Sequence, residues 1–139
     1  MRKSPALILV FLISIFATEL FGQAVVPRPF MTGYARVTST RSGQSVIYYN
    51  PRAMRRVGPD VSRFILAHEQ AHLRLGHLNR PVSRRRAEYE ADILAARMVP
   101  QSSVVATTRW FAQGNGGSLI HGSPIQRARR VYRFGGTRR

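Results

Sequence analysis

The chain has 139 residues, with 22 Lys and Arg against six Asp and Glu, a formal charge of +16 and no cysteine. That length fits one small domain, and the lack of cysteine excludes a disulfide framework and a lipid-modified cysteine. A positive excess of this size attracts polyanions such as nucleic acid, anionic lipid or acidic protein.

Residues 1–24 have the layout of an export signal. Arg2 and Lys3 give a positive start, Ala6 to Ala17 is apolar apart from Ser14, and Gly22-Gln23-Ala24 sets small residues where a signal peptidase reads. The apolar run is shorter than the about 20 residues that a membrane span needs. A cleaved signal peptide is expected rather than an anchor. Residues 25–139 then form one exported domain, periplasmic or secreted, with a basic C-terminal tail. Without Arg2, Lys3 and Glu19 that domain keeps 20 basic residues, all arginine, against five acids. Export, and the lack of any nucleic-acid-binding motif, argue against nucleic acid as a partner. The arginines read either as a solvated face or as a contact for an anionic membrane surface.

Val25 to Gly33, with Pro27 and Pro29, reads as an extended lead-in. Tyr34–Thr40 and Ser45–Tyr49 are rich in β-branched and aromatic residues and flank Arg41-Ser42-Gly43-Gln44, a turn signal, so a β-hairpin is expected. Asn50-Pro51 opens a short helix over Pro51–Arg56, which Gly58 ends.

Pro59 and Asp60 start the next helix, and Gly76 is a natural C-cap for it. His68, Glu69 and His72 within it form H-E-x-x-H. Two imidazoles at that spacing are turned by about 400° and leave the same face almost stacked. Both can hold one Zn²⁺, with Glu69 placed to take a proton from the attacking water. A third ligand from the same segment would need glycine and histidine where Leu75 and Leu78 stand. His77 has two readings, a hydrogen bond inside the rim of the site or a cap at the helix end, where a cation is favoured, and the second is preferred.

Ser83 caps a helix over residues 84–99, and Pro100 stops it. Glu88 and Asp92 share one face of it, whereas Glu90 lies about 200° from Glu88 and points away. Glu88 is assigned as the third zinc ligand, and Asp92 as the acceptor that orients a ligand histidine. The distribution of acids supports this, since four of the six, Glu69, Glu88, Glu90 and Asp92, sit in these two motifs. Ala87, Ala91, Ala95 and Ala96 are small enough to bring the two helices close together. Ser102 or Ser103 caps a third helix over Val104–Gln113, with Trp110 and Phe111 as core residues. After the break at residues 114–117, Ser123-Pro124 begins a last helix. The fold class is α+β, a β-hairpin or small antiparallel sheet beside about four helices.

The segments A-H-E-Q-A-H-L-R-L-G-H (67–77) and E-Y-E-A-D-I-L-A-A (88–96) resemble the gluzincin zinc metallopeptidases of the Ste24/HtpX type, peptidase family M48. The gap of 15 residues between His72 and Glu88 is similar to that of compact members. The resemblance implies a zincin-like fold, one Zn²⁺ per chain on His68, His72 and Glu88, and Glu69 as general base. It also implies that one of the two hairpin strands, at an edge, holds the substrate backbone, and Val46–Tyr49 is the better candidate of the two. The stretch H-G-S-P-I-Q-R (121–127) resembles the family's H-P-x-x-x-x-R segment, with Gly122 in place of proline. This implies that His121 approaches the zinc, as an oxyanion donor or at the open metal position, and that Arg127 orders its loop. Tyr48 and Tyr89 are weaker candidates for the oxyanion donor.

The expected function is that of an exported zinc endopeptidase acting on an unfolded or envelope polypeptide. Beside it stand a latent or non-peptidase zinc hydrolase and a non-enzymatic basic envelope protein that binds anionic surfaces. The last gives no reason for Glu69 to lie between the two histidines.

Overall fold

A computed structural model describes residues 24–136. The expected signal peptide lies outside the described residues except for Ala24, and so do residues 137–139 of the basic tail. Strands β1 (Ala24–Pro27), β2 (Ala35–Ser39) and β3 (Ser45–Tyr49) form one sheet in the order β1-β3-β2. Helices α1 (Pro51–Val57), α2 (Pro59–Arg74), α3 (Arg84–Met98), α4 (Gln101–Ala112) and α5 (Pro124–Gly135) follow. The class is α+β, with five described helices and a sheet that is mixed rather than antiparallel.

The β2–β3 hairpin forms as expected, with Val37 opposite Ile47. The lead-in does more than extend. Ala24–Pro27 pairs in parallel with Val46–Tyr49. Two valines beside a proline are too short a run to read as a strand, and a partner distant in sequence makes them one. This corrects the choice of edge strand. β3 lies between β1 and β2, so both its edges are taken and it cannot add a substrate strand. β2 carries the free edge that faces α2. Tyr34 C=O accepts from Asn50 N–H and Thr40 N–H donates to Gln44 C=O, both at 2.7 Å, so these residues bond toward β3. By alternation, Ala35, Val37 and Ser39 turn their backbone groups outward.

Local chemistry fixes the helix starts. Asn50 Oδ1 accepts from Arg52 and Ala53 N–H at the start of α1. Ser83 Oγ accepts from Arg86 N–H, and Ser123 with Gln126 forms a capping box on α5. α4 departs from expectation. It starts at Gln101 without a side-chain cap, because Ser102 and Ser103 donate instead to Asp60 Oδ1 of α2, at 3.0 and 2.7 Å.

The core lies between α2, α3, α4 and α5. Phe64, Ala95, Ala96, Val104, Phe111 and Val131 are buried together, and Phe64 meets Phe111 edge-on at 5.9 Å. Phe111 is a core residue as expected, while Trp110 packs at the margin and meets Tyr34 at 5.5 Å. Ala91, Ala95 and Ala96 are fully buried and let α3 lie close to its neighbours. Gly135 has the same role for α5, since a Cβ there would stand 2.6 Å from Val104 Cγ2. Each buried phenylalanine contributes about 1.5–3 kcal/mol, against about 0–1 kcal/mol for an exposed ion pair. Packing therefore holds α2 to α4, and Asp60 trims their register.

The Ser103 and Ser102 hydroxyls, with Arg63 behind them, hold the Asp60 carboxyl below its ordinary value of 3.8. A lowered carboxyl adds stability above the unfolded pKa and loses it as pH falls through the folded one. Asp60→Asn should therefore melt below wild type at pH 7, and the gap should close as pH falls under about 3.8. Thermal melts of both proteins across pH 2–7 check this.

Candidate metal centre

All four histidines of the chain meet between α2, α3 and the loop before α5. His68 and His72, one turn apart on α2, point their Nε2 atoms at one place and stand 3.1 Å from each other. Glu88 Oε2 comes from α3 to 2.9 Å from His68 Nε2 and 3.5 Å from His72 Nε2. Three donors on one zinc, at about 2.0–2.1 Å in a tetrahedron, would be about 3.3 Å apart. The triad His68, His72 and Glu88 has that size and can hold a metal ion.

The surroundings of the triad are dry and charged. His68 is 5% exposed and Asp92 0%. His68 Nδ1 lies 3.0 Å from Asp92 Oδ1, off the line of a directed hydrogen bond, so the contact is chiefly electrostatic. Burial alone would push the His68 imidazole down, but Asp92 and Glu88 outweigh it and hold the ring at about 9. Burial would likewise push Glu88 up, yet His121, His68 and His72 hold it well below the usual carboxylate range. Asp92 follows the same pattern, with burial overcome by His68 and Arg127.

His77 requires a correction. Of its two readings the hydrogen bond at the rim of the site holds, and not the preferred cap at the helix end. Gly76 turns to φ +67°, His77 N–H bonds to His72 C=O at 2.9 Å, and Gly76 N–H bonds to Leu73 C=O at 3.0 Å. This is a Schellman ending, which brings the residue after the glycine back over the last turn. The His77 side chain is 2% exposed, and its Nδ1 lies 2.9 Å from His72 Nδ1. If His72 binds a metal through Nε2, its proton stays on Nδ1 and is donated to His77 Nδ1. His77 then carries its own proton on Nε2, 3.2 Å from Glu90 Oε2. Glu90 does turn away from Glu88, but toward His77 rather than into solvent. Arg86, His77 and Arg80 hold it at about 2. The signal for this relay was H-x-x-x-G-H, the spacing of a Schellman motif.

Asp92 supports the other candidate ligand, His68, and the loop. Arg127 grips it twice, Nε to Oδ2 at 3.0 Å and Nη2 to Oδ1 at 2.6 Å, while its Nη1 donates to Gly116 C=O at 2.6 Å. The loop is folded tightly by a Ser118–Gly122 bridge, and Ser118 Oγ lies 2.7 Å from His121 Nδ1. His121 Nε2 then reaches 2.9 Å from Glu88 Oε2. Tyr48 and Tyr89 line other cavities and do not border the triad.

Glu69 meets the sheet. Its Oε2 accepts from Val37 N–H, on the free edge of β2, at 2.8 Å. Cavities of about 510 and 290 Å³ open on either side of Glu69 and His121. The larger runs past Val37 and Leu78, and the smaller toward Phe64, Trp110 and Phe111. Comparison with protein-family models, curated proteins and solved structures gave no match.

Two outcomes are expected. Removing the support of a ligand histidine costs about 10- to 100-fold in metal affinity, so His77→Ala should bind zinc that much more weakly in a competitive chelator titration. A metal ion needs His68 neutral, and that ring holds a proton up to about pH 9. Zinc affinity should therefore rise about tenfold per pH unit from pH 7 toward that value, measured with the same chelator.

Proposed function

We propose that this chain is an exported zinc endopeptidase of the gluzincin type. The observation that carries the reading is the meeting of Glu69, a free strand edge and the triad, with Val37 N–H 2.8 Å from Glu69 Oε2. A helix that merely contained H-E-x-x-H by chance would have no need of a sheet edge against its glutamate.

His68, His72 and Glu88 would hold the zinc, and two neutral imidazoles with one carboxylate would leave it a net charge near +1. Zinc bound there would supply Lewis-acid polarisation of a carbonyl and make a water more acidic. The other steps belong to the chain. An extended polypeptide pairs with Ala35 N–H and C=O and with Val37 C=O by strand addition, Val37 N–H being taken by Glu69. That pairing sets a peptide carbonyl between β2 and α2, beside Glu69. Glu69 takes a proton from the attacking water and hands it to the amine as the C–N bond breaks. His121, with Nδ1 on the Ser118 hydroxyl, keeps a proton on Nε2 and donates it to the oxyanion as a hydrogen bond. His77 and Asp92 keep the two ligand rings oriented.

The open cavities beside Glu69 suit an extended, unfolded stretch of an envelope polypeptide. Export rests on the layout of residues 1–24. Among the described residues no helix is long and apolar enough to cross a membrane. A second reading is favoured by one distance. His121 Nε2 sits 2.9 Å from Glu88 Oε2, against the ligand set itself, as it would in a latent site closed by this residue.

Zinc content by elemental analysis and casein cleavage, on wild type, Glu69→Gln and His121→Ala, separate these readings. Glu69→Gln should keep one zinc and lose at least about 10²-fold in cleavage. His121→Ala should lose about 10²- to 10³-fold, the cost of one oxyanion donor. A rise in cleavage by His121→Ala would favour the latent site, and zinc-loaded wild type that leaves casein intact would sink the peptidase reading.

A further inference from the structure

α3 and α5 pack side by side, and arginine lines the groove between them. Arg85 of α3 and Arg129, Arg130 and Arg133 of α5 border a cavity of about 390 Å³. Arg85 and Tyr89 stand one turn apart on one helix, and Arg129 and Arg133 one turn apart on the other, so each pair shares a face. Tyr89 and Phe134 add aromatic wall. Arg130 is fixed there, with Nη1 on Asp92 Oδ2 at 2.7 Å and its guanidinium 4.3 Å over the Tyr89 ring. Its Nε is buried and without a hydrogen-bond partner among the described residues. Arg85, Arg129 and Arg133 make no ion pair among the described residues, and no acidic side chain among them lines the cavity.

Stability gives no reason for this gathering. Like charges one turn apart on a helix repel, and here Arg129 and Arg133 of α5 share one hollow with Arg85 of α3. A bound anion reverses the balance, since guanidinium groups are planar forks that match a carboxylate in two hydrogen bonds. The position narrows the ligand further. His121 borders this cavity and also both cavities beside Glu69. His121 thus stands between the arginines and the cavities beside Glu69, and a polypeptide that passes it would meet both. A lipid surface is flat and meets protruding side chains, whereas this hollow is walled by two helices.

We propose that the arginine cavity binds carboxylate side chains of an acidic polypeptide beside the bond that is cut. Only that last step rests on the peptidase reading. Acidic residues on one side of the scissile bond would then set specificity, and the strongly basic α5 would be a substrate contact.

Binding without turnover tests this. The full chain carrying Glu69→Gln is titrated into two fluorescein-labelled peptides that differ only in three consecutive Glu or three consecutive Gln. The glutamate peptide should bind about tenfold or more tightly, as one charge-assisted contact would give. Arg85→Gln, Arg129→Gln and Arg133→Gln together should abolish that preference. An equal loss of charge elsewhere, in Arg41→Gln, Arg55→Gln and Arg56→Gln together, should leave it within about twofold, because charges far from the ligand are screened by salt. Circular dichroism and zinc content check that both triple variants fold. Equal binding of the two peptides, or equal loss in both triple variants, would overturn the proposal. So would binding to phosphatidylglycerol vesicles with none to the peptide. If the glutamate preference holds while wild type leaves casein uncut, the peptidase reading fails and the acidic-peptide site stands.

Discussion

Asp92 has no exposed surface, yet three basic groups from two helices close on its carboxylate. His68 of α2 lies 3.0 Å away, and Arg127 and Arg130 of α5 lie at 2.6 and 2.7 Å. A buried charge left without a partner costs about 3–5 kcal/mol, far more than an exposed pair is worth. The helices that carry these groups are thus locked in one arrangement. The same lock reaches the loop, because Arg127 also holds Gly116 C=O and so fixes the turn that delivers His121. Stability and the geometry of the candidate metal site depend on one residue.

The two candidate ligand histidines are supported differently. His68 rests directly on Asp92, while His72 rests on His77, which rests on Glu90, which Arg80 and Arg86 hold. Each chain of contacts ends in arginine. In a protein with so few acids, the buried carboxylates need cations nearby, and arginine supplies them with fixed fork geometry. Part of the basic excess is therefore structural. Another group, Arg85, Arg129 and Arg133, lines the cavity between α3 and α5, where no acidic side chain among the described residues answers it.

The sequence made legible what depends on local periodicity. H-E-x-x-H fixes two imidazoles on one face through helix geometry alone, and E-x-x-x-D does the same for Glu88 and Asp92. Ser83, Ser123 and Asn50 sit at the helix starts expected of them. What escaped depends on contacts between distant segments. Ala24–Pro27 becomes a strand only because Val46–Tyr49 is there to pair with it, and this displaces β3 from the edge. Nothing local tells Val37 that Glu69, 32 residues on, will accept its N–H. His77 was an intermediate case. Its role is written in the glycine before it, but the motif reads as a helix end until the His72 ring is seen beneath it.

The central claim is that His68, His72 and Glu88 bind one zinc ion, and X-ray absorption at the zinc edge tests it most directly. Protein loaded with one equivalent of zinc should give a first shell of about four nitrogen and oxygen atoms near 2.0–2.1 Å, with the outer-shell signature of two or more imidazoles. His72→Ala should lose one imidazole from that shell. A shell without imidazole, or one unchanged by His72→Ala, would contradict the account and place the zinc elsewhere.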